Sequence, residues 1–348
     1  MVKYYSKKIN TLGLLNYPKF AFMKIIFFGT PPFSAYILEK LGSEFNIVSV
    51  VSPLDKEKGR GRKIILSAVK MKAEELGIEV LQPPNLQDYT FLNKLSNLDA
   101  DLFIVVAFRM LPKDIWKLPK KGCVNLHTSL LPNYRGAAPI NRVLINGEKQ
   151  TGITTFFINK NIDTGNIILQ EKINLDDNIT AATLHNIMMK NGATLLIKTV
   201  KKIGNNSATE IVQKQEKDDK SAPKLNKTLL KIDWRRSALN IHNLIRGLSP
   251  CLEDNTLLKD VAICPSSWFY LVTNNTKKIR IKLLLSKIEN TNNTTKNGEI
   301  ITDNKSFMKI EAKDGYISIL KLQMEGKKTM DIKSFLTGFI IEENFRVN

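Results

Sequence analysis

Three polar side chains have the types and spacing to work on a carbonyl carbon. Asn125 and His127 stand two residues apart at the end of Gly122-Cys-Val-Asn-Leu-His127, and Asp163 follows in Asn161-Ile-Asp-Thr-Gly165. Side chains of a strand alternate with a period of two, so Asn125 and His127 share a face. A carboxamide N–H can donate to a developing oxyanion, and a protonated imidazole can donate to the same oxygen and counter its charge. A carboxylate at Asp163 would orient that ring and help relay a proton. Each residue alone also fits a bland role, as a turn former, a satisfied polar residue or part of a common Asp-Thr-Gly turn. Together, with the loop between them, they point to acid and electrostatic catalysis.

Such residues need a sheet to carry them. Asp101-Leu-Phe-Ile-Val-Val-Ala107 reads as a buried strand, and residues 122–127 as a second one, ending where open α/β sheets bind their ligands. Residues 151–158 form a further strand, after which the Asp163 turn can return to the first two groups. The intervening stretch 129–138 has Pro and Gly where the backbone must turn, and its Arg135 is either an anion clamp or a structural pairing that pins the loop. Upstream, residues 23–30 are a buried strand breaking at Gly29, and a helix is expected over 33–41. This is a Rossmann-like opening without G-x-G-x-x-G, so no dinucleotide is expected.

The pattern continues with strands at 46–51 and 78–81, helices over 64–77 and 86–98, and a long amphipathic helix over 180–203. His185 within that last helix is expected to be exposed or capped. Residues 207–228 are polar and charged and read as a linker between a catalytic domain at 23–206 and a second domain at 229–348. In the second domain a short helix at 238–246 precedes stretches of alternating apolar and polar residues at 268–272, 278–285, 298–301, 307–312 and 316–323, a small-barrel signature. Residues 1–22 are basic and free of acids, lack a secretory core, and are expected to be a disordered extension outside the fold.

At several of these residues the chain resembles the formyltransferase family that uses 10-formyltetrahydrofolate, and within it the branch acting on methionyl-tRNA. The matching motifs include Phe28-Gly-Thr-Pro31, Gly59-Arg-Gly-Arg-Lys63, Asn125-Leu-His127, Ser129-Leu-Leu-Pro132, Arg135-Gly-Ala-Ala-Pro139, Ile162-Asp-Thr-Gly165, Ile232-Asp-Trp234 and Gly326-Lys-Lys-Thr-Met330. The resemblance implies an α/β fold, with a Rossmann-like formyltransferase domain followed by a small OB-like β-barrel that supports RNA. It implies catalytic roles for Asn125, His127 and Asp163, and a folate pocket lined by Ser129, Leu130, Leu131, Pro132, Phe108 and Met110. The turn Ala107-Phe-Arg-Met-Leu-Pro112 is shorter than the family's usual Ala-Tyr-Gly turn at this place. Arg60, Arg62 and Lys63, in a loop with two glycines, are expected to contact the acceptor end of initiator methionyl-tRNA; read on its residues alone, that loop is a solvated connection.

The net charge of +19 suits a polyanionic partner, but it is dispersed. Residues 221–348 carry 21 Lys and Arg against 13 Asp and Glu, so charge alone is a weak argument for RNA. Cys123, Cys251 and Cys264 are too widely spaced for a disulfide framework or a zinc site, and a reduced cytoplasmic setting follows; no metal is expected. No apolar run approaches a membrane span, and nothing calls for more than a monomer. Ser129 or Cys123 as a nucleophile is the competing chemistry, but there is no G-x-S-x-G elbow, and direct transfer to an amine needs no covalent intermediate. Two other functions compete: amino-sugar formylation, and RNA binding by a degenerate enzyme.

Overall fold

The structure is a computed structural model that describes residues 22–58, 63–214, 218–258, 262–290 and 296–348. The chain divides into two compact units. One runs to Arg135 and takes in Gly152–Ile173 and Asn186–Lys220; the other comprises Gly136–Thr151, Asn174–His185 and Ser221–Asn348. Residues 1–21, which include nearly all of the expected extension, lie outside the described residues.

In the first unit the strands are β1 (Lys24–Gly29), β2 (Asn46–Val51), β3 (Lys56–Lys58), β4 (Lys63–Ile65), β5 (Val80–Leu81), β6 (Leu102–Val106) and β7 (Cys123–His127). After the short β8 (Arg135–Gly136) come β9 (Gln150–Phe157) and β10 (Ile167–Asn174). The main sheet has the order β10-β9-β7-β6-β1-β2-β5. Strands β5, β2, β1, β6 and β7 are parallel, and β9 runs antiparallel to β7. The uninterrupted apolar runs are the signature of strands buried on both faces. Phe27, Phe28, Phe103 and Phe156 are almost fully buried.

The chain builds outward from β1 to β2 and β5, then returns to the other side through β6 and β7. The topological switch therefore lies between β1 and β6, where such sheets open a crevice at the carboxyl ends of their strands. Ser34, from the helix Pro32–Gly42, ties that helix to the end of β6 by donating its hydroxyl to the Val106 carbonyl at 2.6 Å.

Three local expectations change. The helix expected over 64–77 begins only at Ala68, because Ser67 caps it by accepting from the Lys70 N–H. The residues before it pair instead: β3 and β4 form an antiparallel hairpin with Lys58 opposite Lys63. A network anchors the base of this hairpin. Lys70 Nζ donates to Asp55 at 2.6 Å and to Gln82 at 2.8 Å, and these partners hold the Asp55 carboxyl below its ordinary value. Finally, His185 is not exposed but only 2% accessible, because the helix Ala181–Gly204 turns that position inward.

In the second unit, after β11 (Ser221–Ala222), the strands are β12 (Ser267–Val272), β13 (Lys278–Asn290), β14 (Ile300–Thr302), β15 (Met308–Ala312), β16 (Gly315–Met324), β17 (Met330–Asp331) and β18 (Arg346–Val347). They form an antiparallel sheet of order β14-β15-β16-β13-β12-β18, with β17 on β16. Alternation along β12 buries Phe269 and Leu271 and leaves Trp268 and Tyr270 half-buried on the outer face. The sheet curls into a nearly closed barrel. A Cβ added at Gly298, just before β14, would stand 2.9 Å from Val347 of β18 at the opposite end of the strand order. The helix Ala238–Gly247 packs on β13 and buries His242, Asn243 and Arg246. His242 is hydrogen-bonded to Ser286 Oγ at 3.0 Å and to the Asp177 carbonyl at 3.3 Å, and burial lowers its pKa. No helix among the described residues is long and apolar enough to cross a membrane.

Candidate active site

Asn125 and His127 occupy the carboxyl end of β7, on one face of the strand. Their cross-strand partners are Phe156 and Thr154 of β9, and Val105 of β6 lies on the other side of Asn125. His127 is 7% exposed, and its Nε2 meets the Tyr134 carbonyl at 2.8 Å. A carbonyl only accepts, so Nε2 carries a hydrogen. The other ring nitrogen, Nδ1, faces the Asp163 carboxylate at 3.8 Å. That is too long for a direct hydrogen bond but close enough for strong attraction to an imidazolium. The carboxamide of Asn125 is half-buried and has no hydrogen-bond partner among the described residues, which leaves its N–H groups available to an acceptor.

The backbone that brings Asp163 back to His127 is under strain. Asp163 has φ 54°, in the left-handed region that costs most residues about 1–2 kcal/mol. Two donors hold its carbonyl: Arg135 Nε at 3.1 Å and Gln213 Nε2 at 3.1 Å. Two residues later the chain can only be glycine. A Cβ at Gly165 would lie 1.5 Å from the Phe157 carbonyl oxygen.

The loop after β7 is pinned just as firmly. Thr154 Oγ1 donates to the Ser129 carbonyl at 2.7 Å and accepts from Leu131 N at 3.2 Å and from Gln170 Nε2 at 2.9 Å. Ser129 is fully buried, and its hydroxyl donates to the Asn133 carbonyl at 2.6 Å. Leu131 is buried with Phe156 and Ile167 and precedes a cis Pro132; Leu130 packs over Gly152. A nucleophilic Ser129 is thus disfavoured by its geometry. Cys123 fares no better, since complete burial pushes its thiol far above the ordinary range.

Beside β7, the turn after β6 opens onto the crevice. Ala107 has φ 46°, the Phe108 ring meets Phe28 edge-on with centroids 5.7 Å apart, and Arg109 donates to the Pro83 carbonyl at 3.0 Å. Met110 is 74% exposed. The backbone N–H groups of Phe108, Arg109 and Met110 find no acceptor among the described residues. Unpaired donors at the mouth of a crevice with a half-buried aromatic wall fit a planar heterocycle that carries hydrogen-bonding groups on its edge.

The sequence profile of the formyl transferase family matches residues 23–200, and that of the formyl transferase C-terminal domain matches 224–340. A methionyl-tRNA formyltransferase of Flavobacterium johnsoniae is 43% identical over 326 residues, covering 93% of this chain and 99% of that protein. The chain belongs to the methionyl-tRNA formyltransferase family. A second relative of that name, from Clostridioides difficile, is 41% identical over 92% of this chain and 98% of its own length. Among solved structures, the sugar 3N-formyl transferase WlaRD, crystallised in the presence of dTDP and 5-N-formyl-THF, matches with a TM-score of 0.59. At 22% identity, over 88% of this chain and 99% of that one, it shares the fold. Membership makes the chain a formyltransferase.

Within this family frame, the structure gathers Asn125, His127 and Asp163 in the first unit and sets Phe108 and Met110 on the turn after β6 and Ser129, Leu130, Leu131 and Pro132 on the loop after β7. The side chains of Ser129 and Leu131 point into protein, so only their backbone could meet a ligand. Arg60 and Arg62 lie outside the described residues; Lys63 begins β4. No group of three or more His, Cys, Asp or Glu among the described residues could hold a metal ion. Sequence reading missed Gln213. A lone Gln in a polar stretch carries no periodic signal, and it is recognisable only from the two carbonyls it binds, those of Asp163 and Gly165.

Proposed function

We propose that this enzyme transfers the formyl group of 10-formyltetrahydrofolate to the α-amino group of methionyl-initiator tRNA by direct attack of the amine. The observation that carries the reading is the convergence of His127 and Asp163 at 3.8 Å, with Asn125 on the same strand face two residues away. The neutral amine forms a bond to the formyl carbon while the formyl oxygen becomes an oxyanion. Asn125 donates an amide N–H to that oxygen. With Nε2 held by Tyr134, Nδ1 is the edge of His127 that can hand a proton toward the reacting groups, and Asp163 stabilises the imidazolium when it forms. As the bond to the folate nitrogen breaks, that nitrogen gains one proton and the attacking amine loses one. The Phe108–Met110 turn and the backbone of the Ser129–Pro132 loop are the groups proposed to hold the pterin.

Arg60, Arg62 and Lys63 are proposed to contact phosphates near the acceptor end of the tRNA, and the barrel to support the rest of the RNA; the enzyme is proposed to work in the cytoplasm as a monomer. The test is to incubate purified protein with 10-formyltetrahydrofolate and either charged initiator tRNA or free amino-sugars. Formyl-methionyl-tRNA as the product supports the reading; its absence, or formylation of the sugars, overturns it. Arg60→Ala should weaken productive tRNA binding with little change in the saturated rate. Unchanged binding would return that hairpin to a solvated role.

A further inference from the structure

We infer that Gln213 is a positioning residue for formyl transfer: it clamps the strained Asp163 turn and so fixes the carboxylate against His127. The inference rests on the function proposed above. Every hydrogen-bonding capacity of the Gln213 carboxamide is used. Oε1 accepts from Arg135 Nη2 at 2.6 Å and from Arg135 Nε at 3.2 Å. Nε2 donates to the Gly165 carbonyl at 2.7 Å and to the Asp163 carbonyl at 3.1 Å. The amide orientation is unambiguous, because the reverse would face oxygen to two carbonyls and nitrogen to a guanidinium.

Gln213 reaches this place through the stretch expected to be a linker. Ile211 exchanges backbone hydrogen bonds with Ile167, both at 2.8 Å, just past the catalytic turn. Asn166 Nδ2 donates to Glu210 at 2.8 Å. Farther along, Lys220 accepts from Tyr134 N at 2.5 Å and donates its N–H to Asn133 Oδ1 at 3.0 Å. The same stretch therefore braces both neighbours of the imidazole. One is the Tyr134 carbonyl on Nε2, and the other is the Asp163 turn opposite Nδ1. Arg135 alone cannot replace Gln213, since no other donor among the described residues reaches the Gly165 carbonyl.

Displacing a catalytic group by about 1 Å can slow a reaction by about 10²-fold. Gln213→Ala should lower kcat about 10- to 100-fold and leave KM for charged tRNA and for the folate donor within about twofold. Gln213→Glu keeps the acceptor for Arg135 but loses both donors, so it should fail as Ala does. Equal activity in Gln213→Glu and wild type would show that only the Arg135 pairing matters and would overturn the inference. In an Asp163→Ala background, Gln213→Ala should cost no further rate, because the clamp acts through that side chain. Additive losses would mark general destabilisation and overturn it too. A crystal structure of Gln213→Ala reads the turn directly, whatever substrate the wild type proves to use. A carboxylate moved away from His127 supports the clamp, and an unmoved turn refutes it. An inactive wild type would instead count against the proposed function.

Discussion

Asp163→Asn is the cleanest perturbation of the pair. It keeps the backbone carbonyl that Arg135 and Gln213 hold and replaces a charge 3.8 Å from His127 Nδ1 with an amide of nearly the same shape. Two unit charges at that distance attract by about 4 kcal/mol at an effective dielectric near 20, and by about 1 kcal/mol in bulk water. The side chains are only 8% and 12% exposed, which favours the larger figure. Part of the attraction is offset by the cost of keeping both charges out of water. At about 1.4 kcal/mol for each factor of ten, loss of the pairing should slow transfer roughly 10²- to 10³-fold. The assay is single-turnover formylation with saturating charged tRNA and excess folate donor, with tRNA binding measured separately. A loss of about fivefold or less would match a water-screened pair and would refute the claim that the buried carboxylate supports an imidazolium.

Two further variants probe the scaffold and the second unit. Thr154→Val strips Ser129 and Leu131 of buried hydrogen-bond partners; at about 1–3 kcal/mol for each group left unsatisfied, it should visibly lower the urea midpoint and slow turnover, and an unchanged midpoint would contradict the hub role. His242 has its pKa lowered from 6.5, by burial first and by Arg246 next, against opposing effects of the Asp177 backbone and charge. The unfolded chain therefore takes up its proton before the folded one. This contribution to stability is present above about pH 6.5 and is lost as pH falls below it, by at most about 1.4 kcal/mol per pH unit. Between pH 7.5 and 5.5 the urea midpoint should fall more for the wild type than for His242→Gln, and equal falls would contradict this reading.

Much of the first unit was legible because buried parallel strands are continuous apolar runs. The order of Asn125 and His127 on one strand face followed from the period of two alone. The barrel was legible from alternation, as in β12, where Phe269 and Leu271 face inward. What stayed hidden depends on hydrogen bonds to backbone carbonyls, which leave no periodic trace. Residues 207–228 are polar enough to read as a linker, yet Ile211, Gln213 and Lys220 are stitched to the first unit through main-chain groups. Arg135 was left open between an anion clamp and a structural pairing, and its bonds to Gln213 and the Asp163 carbonyl favour the second. The left-handed φ values of Ala107, Tyr134 and Asp163 likewise fall on residues other than glycine, where nothing in the sequence marks them.

The central claim is that Asn125 donates to the formyl oxygen from the strand end it shares with His127. The single-turnover rate of Asn125→Ala, measured with charged tRNA at saturation beside its tRNA affinity, addresses it most directly. Loss of one oxyanion donor should slow the chemical step about 10²- to 10³-fold while affinity stays within about twofold. A rate close to wild type, or a rate loss that disappears when tRNA is raised to saturation, would contradict it.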